Sequence, residues 1–111
     1  MNLLTDNIKQ HIVRHSEKEY PNECCGIIVV NDQECAAIEC ENIAKNKRQD
    51  FRIDGREYVQ ALSKGDIVAY YHSHPEDDQA AFSQADEVTS KAHGLTSVLY
   101  SMKNKQFNIF N

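Results

Sequence analysis

Ile67-Val68-Ala69-Tyr70-Tyr71-His72-Ser73-His74-Pro75 is an apolar run that ends in two histidines and a proline. Its composition predicts a buried strand. Side chains two apart on a strand share a face, so His72 and His74 can aim at one point. Pro75 has no N–H to give a sheet ladder and ends the strand just after the second histidine. Downstream, Ser83-Gln84-Ala85-Asp86 reads as the start of a helix, with Asp86 offering a carboxylate from its first turn. Two imidazole nitrogens and one carboxylate oxygen make a three-ligand set. Zinc held by such a set keeps a fourth position for water. The same residues have plainer readings: a pair of surface histidines on a half-buried strand, and a helix capping box in Ser83-x-x-Asp86.

Working outward, Leu4, Ile8, Ile12 and His15, with His11 alongside, recur at helical spacing, and Thr5 or Asp6 can cap the start. Residues 3–19 are therefore expected as an amphipathic helix with one buried stripe, stopped by Pro21-Asn22. Gly26-Ile27-Ile28-Val29-Val30 is a β-branched strand, Asn31-Asp32 a turn, and Glu34 to Cys40 the returning strand of a hairpin. Residues 41–50 read as a polar, exposed loop, and Phe51-Arg52-Ile53 as a short strand. Asp54 and Glu57 form a capping-box-like start, followed by an apolar face of Tyr58, Ala61 and Leu62, with Gly65 closing the helix. After the histidine strand come an acidic loop at 76–82, a third helix from Ser83 to His93-Gly94, and a hairpin of Thr96–Tyr100 and Phe107–Phe110 around Lys103-Asn104-Lys105. The order α-β-β-β-α-β-α-β-β predicts an α/β (α+β) fold with a mixed, mainly antiparallel sheet and packed helices.

A chain of 111 residues fits one domain, 1–111, with a modest core. The formal charge of −5, with no basic stripe, argues against a nucleic-acid partner. No apolar run approaches the roughly 20 residues that span a bilayer. Met1 to Asp6 lacks a basic region followed by an apolar block, so no signal peptide is expected. Cys24, Cys25, Cys35 and Cys40 form no C-x-x-C pair, and reduced, mostly buried thiols are expected.

Hydrolysis at a zinc site also needs a base. Glu23 is the candidate, because an acidic residue beside two thiols and an apolar run is oddly placed for solvation alone; the plain alternative is a loop glutamate. Ser83 could donate to a developing oxyanion, or simply cap its helix.

A glutamate ahead of an early strand, then His-Ser-His-Pro, then Ser-x-x-Asp resembles the JAMM (MPN-plus) metallopeptidase signature. Glu23–Ile28, Glu41–Ala44, Phe51–Asp54 and Ile67–Pro75 resemble most the JAMM domains of K-like phage tail assembly proteins, which in larger relatives are joined to an NlpC-type cysteine peptidase domain. The resemblance implies a β-sandwich-like, JAMM/cytidine-deaminase-like α/β domain with one catalytic zinc. It implies His72, His74 and Asp86 as ligands, Glu23 as general acid/base and Ser83 as oxyanion helper. The interval from His74 to Ser83 is one residue longer than in the usual signature, which leaves room for a bulge in the acidic loop. Cys24 and Cys25 match the phage-type pattern and read as packing residues around Glu23. The implied reaction is hydrolysis of a peptide or isopeptide amide in a protein or peptide substrate. The implied setting is the host cytoplasm or a phage tail, with tail proteins or an NlpC-type peptidase as partners. Two other classes remain open: a non-catalytic tail-assembly scaffold with a structural or vestigial zinc, and a thiol sensor using Cys24 and Cys25.

Overall fold

The computed structural model describes residues 2–76 and 95–110. The expected third helix, with Ser83 and Asp86, lies outside the described residues.

Helix α1 (Asp6–Glu19) starts where Thr5 accepts the Ile8 N–H, and it buries Ile8, Ile12, His15 and Ser16. Leu3 and Leu4 were expected inside the helix. They precede it and pack against the same cluster. Strands β1 (Cys25–Asn31) and β2 (Glu34–Cys40) form an antiparallel hairpin. Its two-residue loop is Asp32-Gln33, one position later than expected. Both residues adopt positive φ (51° and 69°), the geometry that matches the twist of paired strands.

Phe51–Ile53 is not a strand. Its backbone is held instead by the Asn42 side chain, which takes the Arg52 N–H, and by Ile43, whose N–H donates to the Arg52 carbonyl. Helix α2 (Gly55–Leu62) is capped by Asp54, which accepts the Arg56 N–H at 2.9 Å. The capping box is only half formed, because the Glu57 carboxylate accepts the Glu41 N–H at 3.0 Å. The buried stripe is also narrower than expected: Ala61 is buried, whereas Leu62 and Val59 are mostly exposed.

Strand β3 (Asp66–His74) pairs antiparallel with β1 and parallel with β4 (Thr96–Ser101), which pairs antiparallel with β5 (Gln106–Phe110). The five strands form one mixed, mostly antiparallel sheet in the order β2-β1-β3-β4-β5. The β-sandwich expectation fails among the described residues, since all five strands share one continuous ladder with a helix against each face. On one face α1 packs Ile8 and Ile12 onto Cys24, Ile28, Ala69, Tyr71, Val98 and Tyr100. On the other, α2 packs Ala61 with Cys25, Ile27, Val29 and Cys40. A register shift opposite Ile28 and Val29 leaves Val68 without a partner on β1. This bulge changes the face of the strand, so Ile67 joins the α2 side while Val68 and Ala69 pack on the α1 side. No helix among the described residues is long and apolar enough to cross a membrane.

Gly26 sits on β1 between β2 and β3, opposite Glu39 and Tyr71. A Cβ there would overlap the Tyr71 ring and the Ile38 carbonyl. Gly26→Ala is expected to destabilise the fold by about 1–3 kcal/mol, read as a lower urea midpoint.

His15 is 3% exposed, and its Nδ1 lies 2.8 Å from the Tyr71 hydroxyl. Burial lowers its pKa below the ordinary 6.5, although the Glu39 carboxylate pulls the other way. The unfolded chain therefore takes up this proton more readily, and the contribution is full above about pH 6.5 and lost as pH falls below it. The urea midpoint should fall between about pH 7 and pH 5, and less steeply in His15→Gln. An equal slope in the variant would remove His15 as a cause.

Candidate metal centre

The pairing of β1 with β3 brings three of the expected residues together. Cys25 of β1 stands opposite His72 of β3, and the Ser73 N–H donates to the Cys24 carbonyl at 3.1 Å. Continuing that antiparallel register by two residues brings Glu23 level with His74. Alternation puts His72 and His74 on the same side of β3, with ring centroids 5.1 Å apart. The candidate ligand atoms of Glu23, His72 and His74 all lie within 4.8 Å of one another, and all three residues are buried. A buried carboxylate beside two buried imidazoles is costly to desolvate unless a cation or hydrogen bonds compensate. The donor set, one oxygen and two nitrogens, fits zinc.

The backbone around these side chains is closely tied. The Ser73 hydroxyl accepts the Cys24 N–H at 2.9 Å, so the residue between the two histidines anchors the residue after Glu23. The Glu23 N–H donates to the Lys47 carbonyl at 2.7 Å. Asn42 donates to the Glu23 and Asp50 carbonyls, both at 2.9 Å, and accepts from the Ala44 and Arg52 N–H groups at 3.0 and 3.1 Å. A side-chain amide with four backbone partners is fully satisfied. Residues 41–50 were expected to be an exposed loop, yet Asn42 and Ala44 are buried in the segment that holds Glu23. Phe51 stacks on His72 with centroids 4.3 Å apart and planes at 18°, fixing one imidazole from the side. Hydropathy reading misses Asn42 and Phe51 because an isolated Asn reads as polar and an isolated Phe as core. Their signal lies in the Glu41–Ala44 and Phe51–Asp54 stretches that carry the family resemblance. Phe51 also lines an apolar cavity of about 720 Å³ with Ile53, Tyr58, Ile67, Tyr70 and Leu95.

Cys24, just before β1, and Cys25, its first residue, pack on opposite faces of the sheet, as consecutive extended residues do. Burial pushes the Cys24 thiol up to about 12 and raises Cys25 as well. Protonated, buried thiols are inert packing groups, and side chains on opposite faces cannot form the vicinal pair that a thiol sensor would use. Ser83 and Asp86 lie outside the described residues, so the assembled portion of the expected site is Glu23, His72 and His74.

Residues 5–110 match the family described as prokaryotic homologs of the JAB domain. The chain belongs to this family. It is 32% identical over 65 residues to the tail tip assembly protein K of Escherichia phage N15, an alignment spanning 59% of this chain and 27% of that protein. It is 33% identical over 81 residues to a desampylase of Haloferax volcanii, spanning 66% of this chain and 58% of the relative. The matches thus cover about a quarter of the first relative and somewhat over half of the second. A solution structure of a Salinibacter ruber protein shares the fold, with a TM-score of 0.62 and 20% identity, covering 98% of this chain and 80% of that one.

Asn42→Ala should cost on the order of 2–4 kcal/mol, because it orphans backbone groups beneath the centre. The loss is read as a lower urea midpoint, and an unchanged midpoint would show that the segment around Glu23 does not depend on this clamp.

Proposed function

We propose that this JAB-family chain is a zinc-dependent metallopeptidase that hydrolyses an amide bond, peptide or isopeptide, in a protein or peptide substrate. The observation that carries the reading is the convergence of one buried carboxylate and two buried imidazoles at the end of β3. Family membership and the desampylase relative support a hydrolase. In this reading residues 1–111 form a single domain, His72, His74 and Asp86 are the ligands, and Glu23 and Ser83 are catalytic.

Zinc held there would polarise the scissile carbonyl and bring the pKa of water to about 7. Glu23 takes the proton from the attacking water and returns it to the leaving amine. The fixed Glu23 backbone keeps that carboxylate in place through both transfers. Ser83 donates a hydrogen bond to the oxygen that becomes negative. His72 is braced by Phe51, and His74 by its place beside β4. The apolar cavity beside Phe51 suits a hydrophobic side chain flanking the scissile bond.

The match to a tail tip assembly protein supports a phage-tail setting. The substrate or partner is then a tail protein, an NlpC-type peptidase, or a peptidoglycan peptide, and the site of action is the bacterial cytoplasm or the virion. The same match favours the second reading, a tail-assembly scaffold whose zinc is structural or vestigial.

The test is metal analysis of purified protein, followed by peptide, isopeptide and muropeptide substrates with and without chelator. Glu23→Gln should lower turnover by about 10²–10⁴-fold while leaving metal content unchanged. His74→Ala should remove the metal. Metal loss in Glu23→Gln would make Glu23 a ligand rather than a base. Metal binding without turnover on any substrate class would favour the scaffold.

A further inference from the structure

The α1 face of the sheet carries a second histidine cluster that the proposed chemistry does not use. His11 and His15 are four residues apart on α1, so they stack on one side of the helix. Glu39 lies on β2, on the same face as Cys35 and Ala37, which pack under α1. Its two carboxylate oxygens divide between the rings: Oε2 is 3.2 Å from His11 Nε2, and Oε1 is 3.8 Å from His15 Nε2. Two donors on one tetrahedral zinc are roughly 3.4 Å apart, given bonds near 2.0–2.2 Å. Both imidazole–carboxylate pairs bracket that spacing.

Two further observations point to a ligand. His11 Nε2 is shielded from solvent and, despite its closeness to Glu39, makes no hydrogen bond. The two atoms are close without being aligned on each other. His15 engages the buried Tyr71 hydroxyl through Nδ1 at 2.8 Å, which fixes the ring and leaves Nε2 directed at Glu39. Metal-bound histidines are oriented in this way by a partner on the far nitrogen.

We propose that His11, His15 and Glu39 form a second divalent-metal site, selective for zinc-like ions, that fastens α1 to the edge strand β2. Lys18 is its built-in competitor, with Nζ 2.6 Å from Glu39 Oε1. The ammonium is well exposed and can swing aside. The imidazole centroids, 6.5 Å apart, must close by about an ångström to share one ion. His11, with 37% of its side chain exposed, has room to do so. The ion would bridge two elements joined otherwise by apolar contacts and the Lys18 pair, and so would stabilise that layer.

The test is a ZnCl₂ titration of the full chain labelled with ¹⁵N-histidine, reading each imidazole separately. Nε2 of both His11 and His15 should shift together and saturate. In His11→Ala the His15 response should be lost while His72 and His74 respond as before. Tyr71→Phe should weaken the His15 response about tenfold, and Lys18→Gln should tighten it roughly two- to fivefold. A titration in which only His72 and His74 respond would overturn the proposal. So would an undiminished His15 response in His11→Ala. The converse, His11 and His15 responding with His72 and His74 silent, would sink the metallopeptidase reading and leave this second site standing.

Discussion

The antiparallel pairing of β1 with β3 is the constraint on which the rest depends. It sets Cys25 opposite His72 and ties Ser73 to Cys24 by two hydrogen bonds, one through backbone and one through the hydroxyl. Glu23, His72 and His74 of the candidate metal centre inherit their positions from that register. A slip of one residue would exchange the faces of β3, turning Tyr71 and Ser73 toward the site and both histidines toward α1. The pairing resists such a slip because both faces are packed. Tyr71 is fully buried against α1, and Phe51 lies on His72 from the other side. Gly26 lets β1 and β2 approach the Tyr71 ring, so it belongs to the same constraint.

Much of this was legible in the sequence. Alternation in β3, the apolar run of β1, the hairpins and the stripe of α1 follow from local periodicity, and the structure keeps them. The order of elements predicted the α/β class with a mixed, mainly antiparallel sheet, and the five-stranded sheet and the structural neighbour bear it out. Less was legible wherever a side chain replaces a strand partner. Phe51–Ile53 alternates like a strand, but the Asn42 side chain takes the Arg52 N–H that a neighbouring strand would have paired. Glu57 looks like half of a capping box, but it holds the Glu41 backbone. These are long-range polar contacts, and no local pattern encodes them.

The candidate site divides the same way. His72 and His74 follow from a period of two on one strand. Glu23 could be singled out only by its odd company and by resemblance, because its closeness to the histidines is a matter of sheet register. The bulge at Val68 was not legible at all, yet without it Ile67 and Ala69 would face the same layer.

The strand order has a consequence for how the molecule comes together. The outer pairs, β1 with β2 and β4 with β5, are hairpins whose partners are near neighbours along the chain, and such pairs close quickly. Strand β3 joins them through contacts between distant segments, such as Cys25 with His72, and ordering a long intervening chain is slow. A nascent chain that has made both hairpins therefore still lacks the Glu23, His72 and His74 grouping. These three side chains become neighbours only in the step that completes the sheet, which couples the assembly of the candidate site to the end of folding.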